Sequence, residues 1–132
     1  MSAGEPSERD GAIGRGWATV ELDRAADEHR SSLLKGTGFE SAPRSEALGA
    51  RCLRGRSADG TGWIVLLEPD TEGRISGFLA RHGEGWAATW LAADHSPSMT
   101  AGPLGDEAID PDATTPRWGP YRLRSAAATI ER

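Results

Sequence analysis

Aromatic side chains are the groups of this chain that are best suited to hold a small molecule. The sequence has five tryptophans beside two phenylalanines and one tyrosine. Tryptophan combines a large apolar ring with one N–H donor, so it lines ligand sites as well as protein cores. Alternation along the predicted strands groups four of the tryptophans with smaller neighbours on the same strand faces. The candidate ligand-binding residues are Trp17, Thr19, Trp63, Val65, Trp86, Ala88, Trp90 and Tyr121.

Few side chains in the sequence are placed for proton transfer. Glu21 shares a predicted strand face with Trp17 and would act as a general base if it were desolvated, which makes it the candidate catalytic residue. A glutamate at the end of a strand is nevertheless more often solvated. Asp94 and His95 are adjacent and would point apart on a strand, so they make a poor acid–imidazole pair. His82 follows a predicted helix and is expected to cap its C-terminus.

The elements that must position these residues are short strands and two helices. Asp59-Gly60 predicts a hairpin turn, since Asp-Gly supplies the positive φ that tight turns require. The segment 93–116 has four prolines and no clear helical pattern. The predicted strands cover residues 16–22, 39–43, 47–56, 61–67, 86–92, 118–124 and 126–131, and the predicted helices cover residues 24–34 and 72–81. This order predicts an α+β fold.

Composition narrows the classes of function. A chain of 132 residues suits one domain, and its net charge of -5 argues against a nucleic-acid partner. No apolar run approaches the length of a membrane span, and no secretion signal is visible, so the expected compartment is the cytoplasm. Cys52 is the one cysteine and is interpreted as a small packed hydrophobe. Arg54, Arg56 and Arg122 could bind an anionic group, although surface ion pairs are their commoner fate.

Two neighbouring motifs resemble a known family. Leu66-Leu67-Glu68-Pro69, followed by Phe78-Leu79-Ala80-Arg81-His82-Gly83-Glu84-Gly85, is similar to the core of methylmalonyl-CoA epimerase and its relatives. These proteins belong to the vicinal-oxygen-chelate superfamily, with glyoxalase I, extradiol dioxygenases and bleomycin-resistance proteins. The resemblance implies paired βαβββ modules that form a curved mixed sheet shaped as a cup, with a shortened second module. It also implies a single glyoxalase-like domain over residues 15–132, after a flexible tail at residues 1–14.

The resemblance also implies a site for a divalent metal ion, which most enzymes of the superfamily hold with histidine, glutamate or glutamine side chains in the cup. Carried over one by one, these ligand positions fall on residues that cannot chelate a metal: Trp17, Val65, Ala87, Ala88 and Leu123. The sequence therefore predicts no cofactor and no metal-dependent epimerase, glyoxalase or dioxygenase chemistry.

The same comparison places four tryptophans on the concave surface of the cup, which would suit a flat apolar ligand. The first hypothesis is a metal-independent, small-molecule-binding protein that sequesters an aromatic or polycyclic ligand, as bleomycin-resistance-like proteins do, with a homodimer and no membrane partner. The alternative is a metal-independent isomerase, cyclase or lyase of natural-product (polyketide-like) biosynthesis, including antibiotic biosynthesis. A third possibility is a cup filled by its own side chains, in a structural or subunit role.

Overall fold

A single curved sheet organises the part of the chain that the structure describes. The structure is a computed structural model, and it describes residues 12–33, 38–58, 62–111 and 116–126. Within these residues the strands and helices are β1 (Ala12–Ala18), α1 (Leu22–Leu33), β2 (Glu40–Ser45), β3 (Ala50–Arg56), β4 (Trp63–Pro69), α2 (Arg74–His82), β5 (Gly85–Ala92), β6 (Glu107–Ile109) and β7 (Tyr121–Ser125).

The sheet joins two related halves along its centre. Its strand order is β2-β3-β4-β1-β5-β7-β6, with β1 antiparallel to β5 at the junction. In the first half β1 runs parallel to β4, and in the second half β5 runs parallel to β7. No helix follows β5 among the described residues 93–111. The predicted α+β class, with a curved mixed sheet and a shortened second half, is therefore confirmed.

The two faces of the sheet bury separate groups of apolar side chains. On the convex face, α1 packs Leu22 and Ala25 against Leu66, with Trp17 at the border of this cluster. On the concave face lies the larger core, which receives Ile75 and Phe78 from α2. The strand β4 is a continuous apolar run because it lies near the centre of the sheet and is buried from both sides. Both helices predicted from apolar spacing are present, within a few residues of their expected ends.

The first strand ends earlier than the sequence pattern predicts. The prediction of a strand over 16–22 is wrong in its second half, because β1 ends at Ala18 and α1 already begins at Leu22. The strand also begins four residues before its predicted start, at Ala12, so β1 includes residues 12–14, which were assigned to the tail. Residues 1–11, most of the predicted strand 126–131 and the Asp59-Gly60 turn lie outside the described residues.

The glutamates of the two family-like motifs explain where β1 stops. Glu68 Oε1 accepts the backbone N–H of Leu22 at 3.0 Å, and Glu84 Oε2 accepts that of Val20 at 2.9 Å. These N–H groups lie at the start of a helix, where they have no partner within the helix itself. The hydrogen bond from Val20 is the main reason that the pKa of Glu84 lies below its ordinary value. Both motif glutamates therefore fix the turn between β1 and α1.

Neither helix of the described residues is long and apolar enough to cross a membrane.

Candidate functional site

Five of the eight predicted ligand-binding residues share the concave face. Strand register fixes this arrangement: Gly14 lies beside Trp63, and Gly16 lies between Val65 on β4 and Ala88 on β5. Ala88 in turn lies beside Tyr121. The residues brought together in the concave core are Trp63, Val65, Ala88, Trp90 and Tyr121.

Trp17 and Trp86 lie on the opposite, convex face, so the prediction that four tryptophans converge in the cup is wrong. Gly14 and Gly16 occupy the inward positions of β1, and alternation turns Trp17 outward. Ala87 forms a bulge in β5 opposite the step from Gly16 to Trp17, which turns Trp86 to the side of Trp17. The two rings meet edge to face, with centroids 5.2 Å apart.

Thr19 and Glu21 belong to the turn that follows β1 rather than to a strand face. Thr19 is fully buried, and its hydroxyl donates to Glu84 Oε2 at 2.9 Å. Glu21 is exposed, beside a groove between α1 and β2–β3 in which Arg51 pairs with Glu68. The prediction that Glu21 shares a strand face with Trp17 is wrong, because the chain has already left the sheet at this point. Its proposed role as a base therefore has no support from the concave face.

A different acid, Glu107 on β6, lies in the concave core. Its side chain is fully buried, and its Oε1 accepts the indole N–H of Trp90 at 2.8 Å. Its Oε2 accepts the hydroxyl of Ser45 on β2, and the backbone N–H of Ala47 also contributes. Burial raises the pKa of Glu107 to about 7, despite these donors, because the charged form loses its hydration. Sequence patterns missed this residue since β6 has only three residues, within a turn-rich segment.

Trp63 occupies the rim of the concave face. Its side chain is half-buried, and its Nε1 atom is shielded from solvent without a hydrogen-bond acceptor in the described part of the chain. The guanidinium groups of Arg54 and Arg56 lie 5.3 Å and 4.5 Å from the centre of its ring. Arg54 also donates a hydrogen bond from Nη1 to the carbonyl oxygen of Pro103, at 2.6 Å. The rim therefore combines an aromatic ring, its indole N–H donor, the exposed guanidinium of Arg56, and Arg54, which is paired with Glu40.

The segment Thr100–Glu107, which we call the strap, covers the concave face. Its two ends pair with each other through backbone hydrogen bonds of 2.8 Å and 2.7 Å. Between them, Leu104 is fully buried in the concave core and lies so close to Gly14 that a Cβ there would be 2.6 Å from Leu104 Cδ1. Trp90 likewise lies against Gly16. In this structure the cup is filled by side chains of the chain itself.

Solved structures with the same architecture include methylmalonyl-CoA epimerases. No family model and no curated protein matches the sequence. The epimerase of Mycobacterium tuberculosis superposes with a TM-score of 0.66 at 16% identity, over 92% of each chain. The Streptomyces coelicolor epimerase in complex with 2-nitronate-propionyl-CoA gives 0.62 at 19% identity, over 89% of this chain and 98% of that one. The chain has the vicinal-oxygen-chelate fold. A hypothetical protein from Bacillus halodurans C-125 shares this fold with a TM-score of 0.62, at 17% identity over 86% of this chain and 91% of that one.

The concave face does not fit the metal site of vicinal-oxygen-chelate enzymes. The positions assigned to metal ligands carry only apolar side chains, and Trp17, one of them, faces away from the cup. Across residues 12–33, 38–58, 62–111 and 116–126, no group of three or more His, Cys, Asp or Glu side chains could hold a metal ion. Metal-independent function stays a prediction.

Proposed function

We propose that this chain is a metal-independent small-molecule-binding protein that sequesters an aromatic or polycyclic ligand at the concave face. The observation that carries the proposal is the state of Trp63 at the rim, where a shielded indole N–H has no acceptor among the residues that the structure describes. A polar group that is buried without a partner destabilises the folded protein by roughly 1–3 kcal/mol. An oxygen atom of a bound ligand would relieve this penalty while the ligand's ring packs on the apolar face.

The charges at the rim narrow the class of ligand. Arg56 is exposed, and its guanidinium lies over the Trp63 ring, which orients it at the rim. Such a group favours a carboxylate, sulfonate or phenolate on the ligand. Val65 and Ala88 are buried beneath the strap in this structure, and they would supply apolar area to a ligand that displaces it. The favoured ligand is therefore a planar aromatic acid, as many polycyclic natural products and antibiotics are.

The test is a titration of tryptophan fluorescence with anthraquinone carboxylates and acidic flavonoids, with and without added divalent metal. Trp63→Phe removes the N–H donor and keeps an aromatic ring, so the affinity should fall by about tenfold. Trp17→Phe is the matched control, because Trp17 also has a half-buried indole with an unpartnered Nε1, but on the convex face. Its affinity should equal that of the wild type.

Three outcomes of this titration would contradict the proposal. A loss of affinity in Trp17→Phe alone would move the site to the convex face. Ligand binding that depends on a divalent metal would show that metal ligands exist outside the described residues. Saturable binding of methylmalonyl-CoA, without response to any aromatic acid, would instead point to the ligand class named for the epimerases of the same fold.

A second candidate function is favoured by Glu107. A carboxyl group with a pKa of about 7 inside an apolar face is suited to general acid–base catalysis near neutral pH. This supports the alternative of a metal-independent isomerase, cyclase or lyase of natural-product biosynthesis, with Glu107 in place of Glu21 as the proton carrier. Analysis of the recovered ligand separates the two candidates: sequestration returns it unchanged, whereas catalysis returns an altered product whose formation is lost in Glu107→Gln.

We also propose that the protein acts as a cytoplasmic homodimer, as the resemblance to bleomycin-resistance proteins implies. Light scattering across a range of concentrations measures the oligomeric state directly.

A further inference from the structure

We infer that the strap Thr100–Glu107 is an opening cover of the concave site, in which Leu104 occupies the ligand's position and the Glu107 carboxyl group is the latch. The inference rests on the proposed function for the identity of the site. It goes beyond that function because it proposes that the strap controls access to the concave site.

Leu104 behaves as a plug rather than as part of the sheet. The strap residues between Thr100 and Glu107 belong to no strand, yet Leu104 is fully buried against β1 and the concave core. Its closest neighbour on β1 is a glycine, so the plug is seated in a space left by a missing side chain. Arg54 holds the carbonyl oxygen of Pro103, the residue next to the plug. A ligand's acidic group would compete with the strap for this same guanidinium.

The latch joins opposite edges of the sheet. Glu107 lies on β6 at one edge, and Ser45, which donates to it, lies on β2 at the other edge. A further bond across the same gap runs from the N–H of Glu46 to the carbonyl oxygen of Ala101, at 3.0 Å. On the other side, Ala126 donates to the carbonyl oxygen of Asp106 and so ties the strap to the end of β7. Opening therefore breaks the bonds to β2 and β3 and leaves the side near β7 attached.

The surroundings of the latch set the direction of its pH dependence. Glu46, which follows β2, disfavours the charged form of Glu107, and Cys52 on β3 is a buried neutral thiol nearby. The other neighbours of the carboxyl group carry no charge: Ser45 on β2, Trp90 on β5 and Ser125 on β7. Arg54 on β3 is bound to the carbonyl oxygen of Pro103. Asp106 pairs with His95 on the exposed side of the strap. The pKa of Glu107 is raised from 4.5 to about 7 in the closed state. Protonation therefore stabilises closure fully below 4.5, and this contribution is lost as the pH rises through 7.

Cys52 provides a built-in reporter of opening. It is the one cysteine of the chain, it is buried in the concave core, and its pKa is raised first by burial and second by the charge of Glu107. Iodoacetamide should alkylate it only when the strap opens. The rate is measured from pH 5 to about 8 and divided by the rate of the same chain in strong urea, which removes the intrinsic pH dependence of the thiol.

The expected opening constant of the wild type rises by up to roughly two orders of magnitude across this range, since each unit of pKa difference is a factor of ten. Glu107→Gln imitates the protonated latch, so its opening should be slow and independent of pH. Glu107→Ala removes the latch and should open fast at every pH. Glu28→Gln is the control, because it removes an exposed charge on α1 that is paired with Arg24 and does not contribute to the pKa of Glu107. Its alkylation should follow the wild type.

Low concentrations of urea separate strap opening from global unfolding. Opening of the strap exposes little surface, so its rate should hardly change with urea, whereas global unfolding depends steeply on it. If Glu107→Ala does not fold, Ser45→Ala, which removes one donor to the latch, should show a smaller increase in rate.

Equal alkylation rates in the wild type and Glu107→Gln at every pH, or alkylation that follows global unfolding only, would overturn the inference. Failure of the proposed function is distinguishable from failure of this inference. If no aromatic acid binds but the alkylation rate of Cys52 depends on Glu107, the strap inference is supported and the proposed ligand class is wrong. If aromatic acids bind but the alkylation rate of Cys52 does not depend on Glu107, the strap inference is wrong.

Discussion

Two glycines on β1 decide the shape of the concave face. Gly14 and Gly16 leave the space into which Leu104 and Trp90 pack, so the interior is filled by large side chains. A β-strand interior usually carries side chains, and a glycine there weakens the strand unless another group approaches closely. Here the approaching group is a large apolar side chain at each position.

We expect Gly16→Ala to destabilise the protein. The new Cβ would lie 2.8 Å from both Leu67 Cδ1 and Trp90 Cζ3, which overpacks the core and should lower the free energy of unfolding by about 1–3 kcal/mol. Gly85→Ala, also in a strand, is the control: nothing lies within 4 Å of its added Cβ, so its stability should be unchanged or slightly higher. Urea unfolding measures both. Equal stability of the two variants would show that the core adapts to the extra methyl group.

At the scale of elements, the start of α1 depends on acidic side chains from distant strands. Glu84, in the turn before β5, accepts the N–H of Val20 and the hydroxyl of Thr19, and it pairs with Arg24. Glu68, at the end of β4, accepts the N–H of Leu22. The helix is therefore fixed to the sheet at its N-terminus, where a negative charge is also favourable to the helix dipole.

Glu84→Ala should lower the free energy of unfolding by about 1 kcal/mol near neutral pH, as loss of a helix cap does. Because the pKa of Glu84 is lowered in the folded state, its contribution is present above the ordinary value of 4.5 and is lost as the pH falls through the folded value. The difference from wild type should therefore shrink in acid. Asp94→Ala removes an equal charge from an exposed loop and should show neither effect. A Glu84→Ala difference that persists unchanged at low pH would contradict the role of the charge.

At the scale of the whole molecule, periodicity located the central strands and both helices, because burial imposes a regular pattern on them. The second half was harder to predict, since β6 has three residues and the strap is held by single contacts such as Arg54 to Pro103. The assignment of side chains to strand faces was also wrong in part. A bulge at Ala87 places Trp86 on the other face, and no pattern in the sequence marks this bulge. The burial of Glu107 was not predicted either, because only tertiary contacts place this residue in the core.

The most direct test of the central claim is the side-chain N–H spectrum of the five tryptophans, recorded by two-dimensional NMR with and without anilinonaphthalene sulfonate, an aromatic anion. Assignment by single Trp→Phe variants identifies the signals of Trp63 and Trp17, the two indoles with unpartnered Nε1 atoms. We predict that saturating probe shifts the Trp63 N–H signal downfield and slows its hydrogen exchange, because the ligand supplies the missing acceptor. The N–H signal of Trp17 should stay unchanged. An unchanged Trp63 signal beside a saturating shift of Trp17 would contradict ligand binding at the concave face.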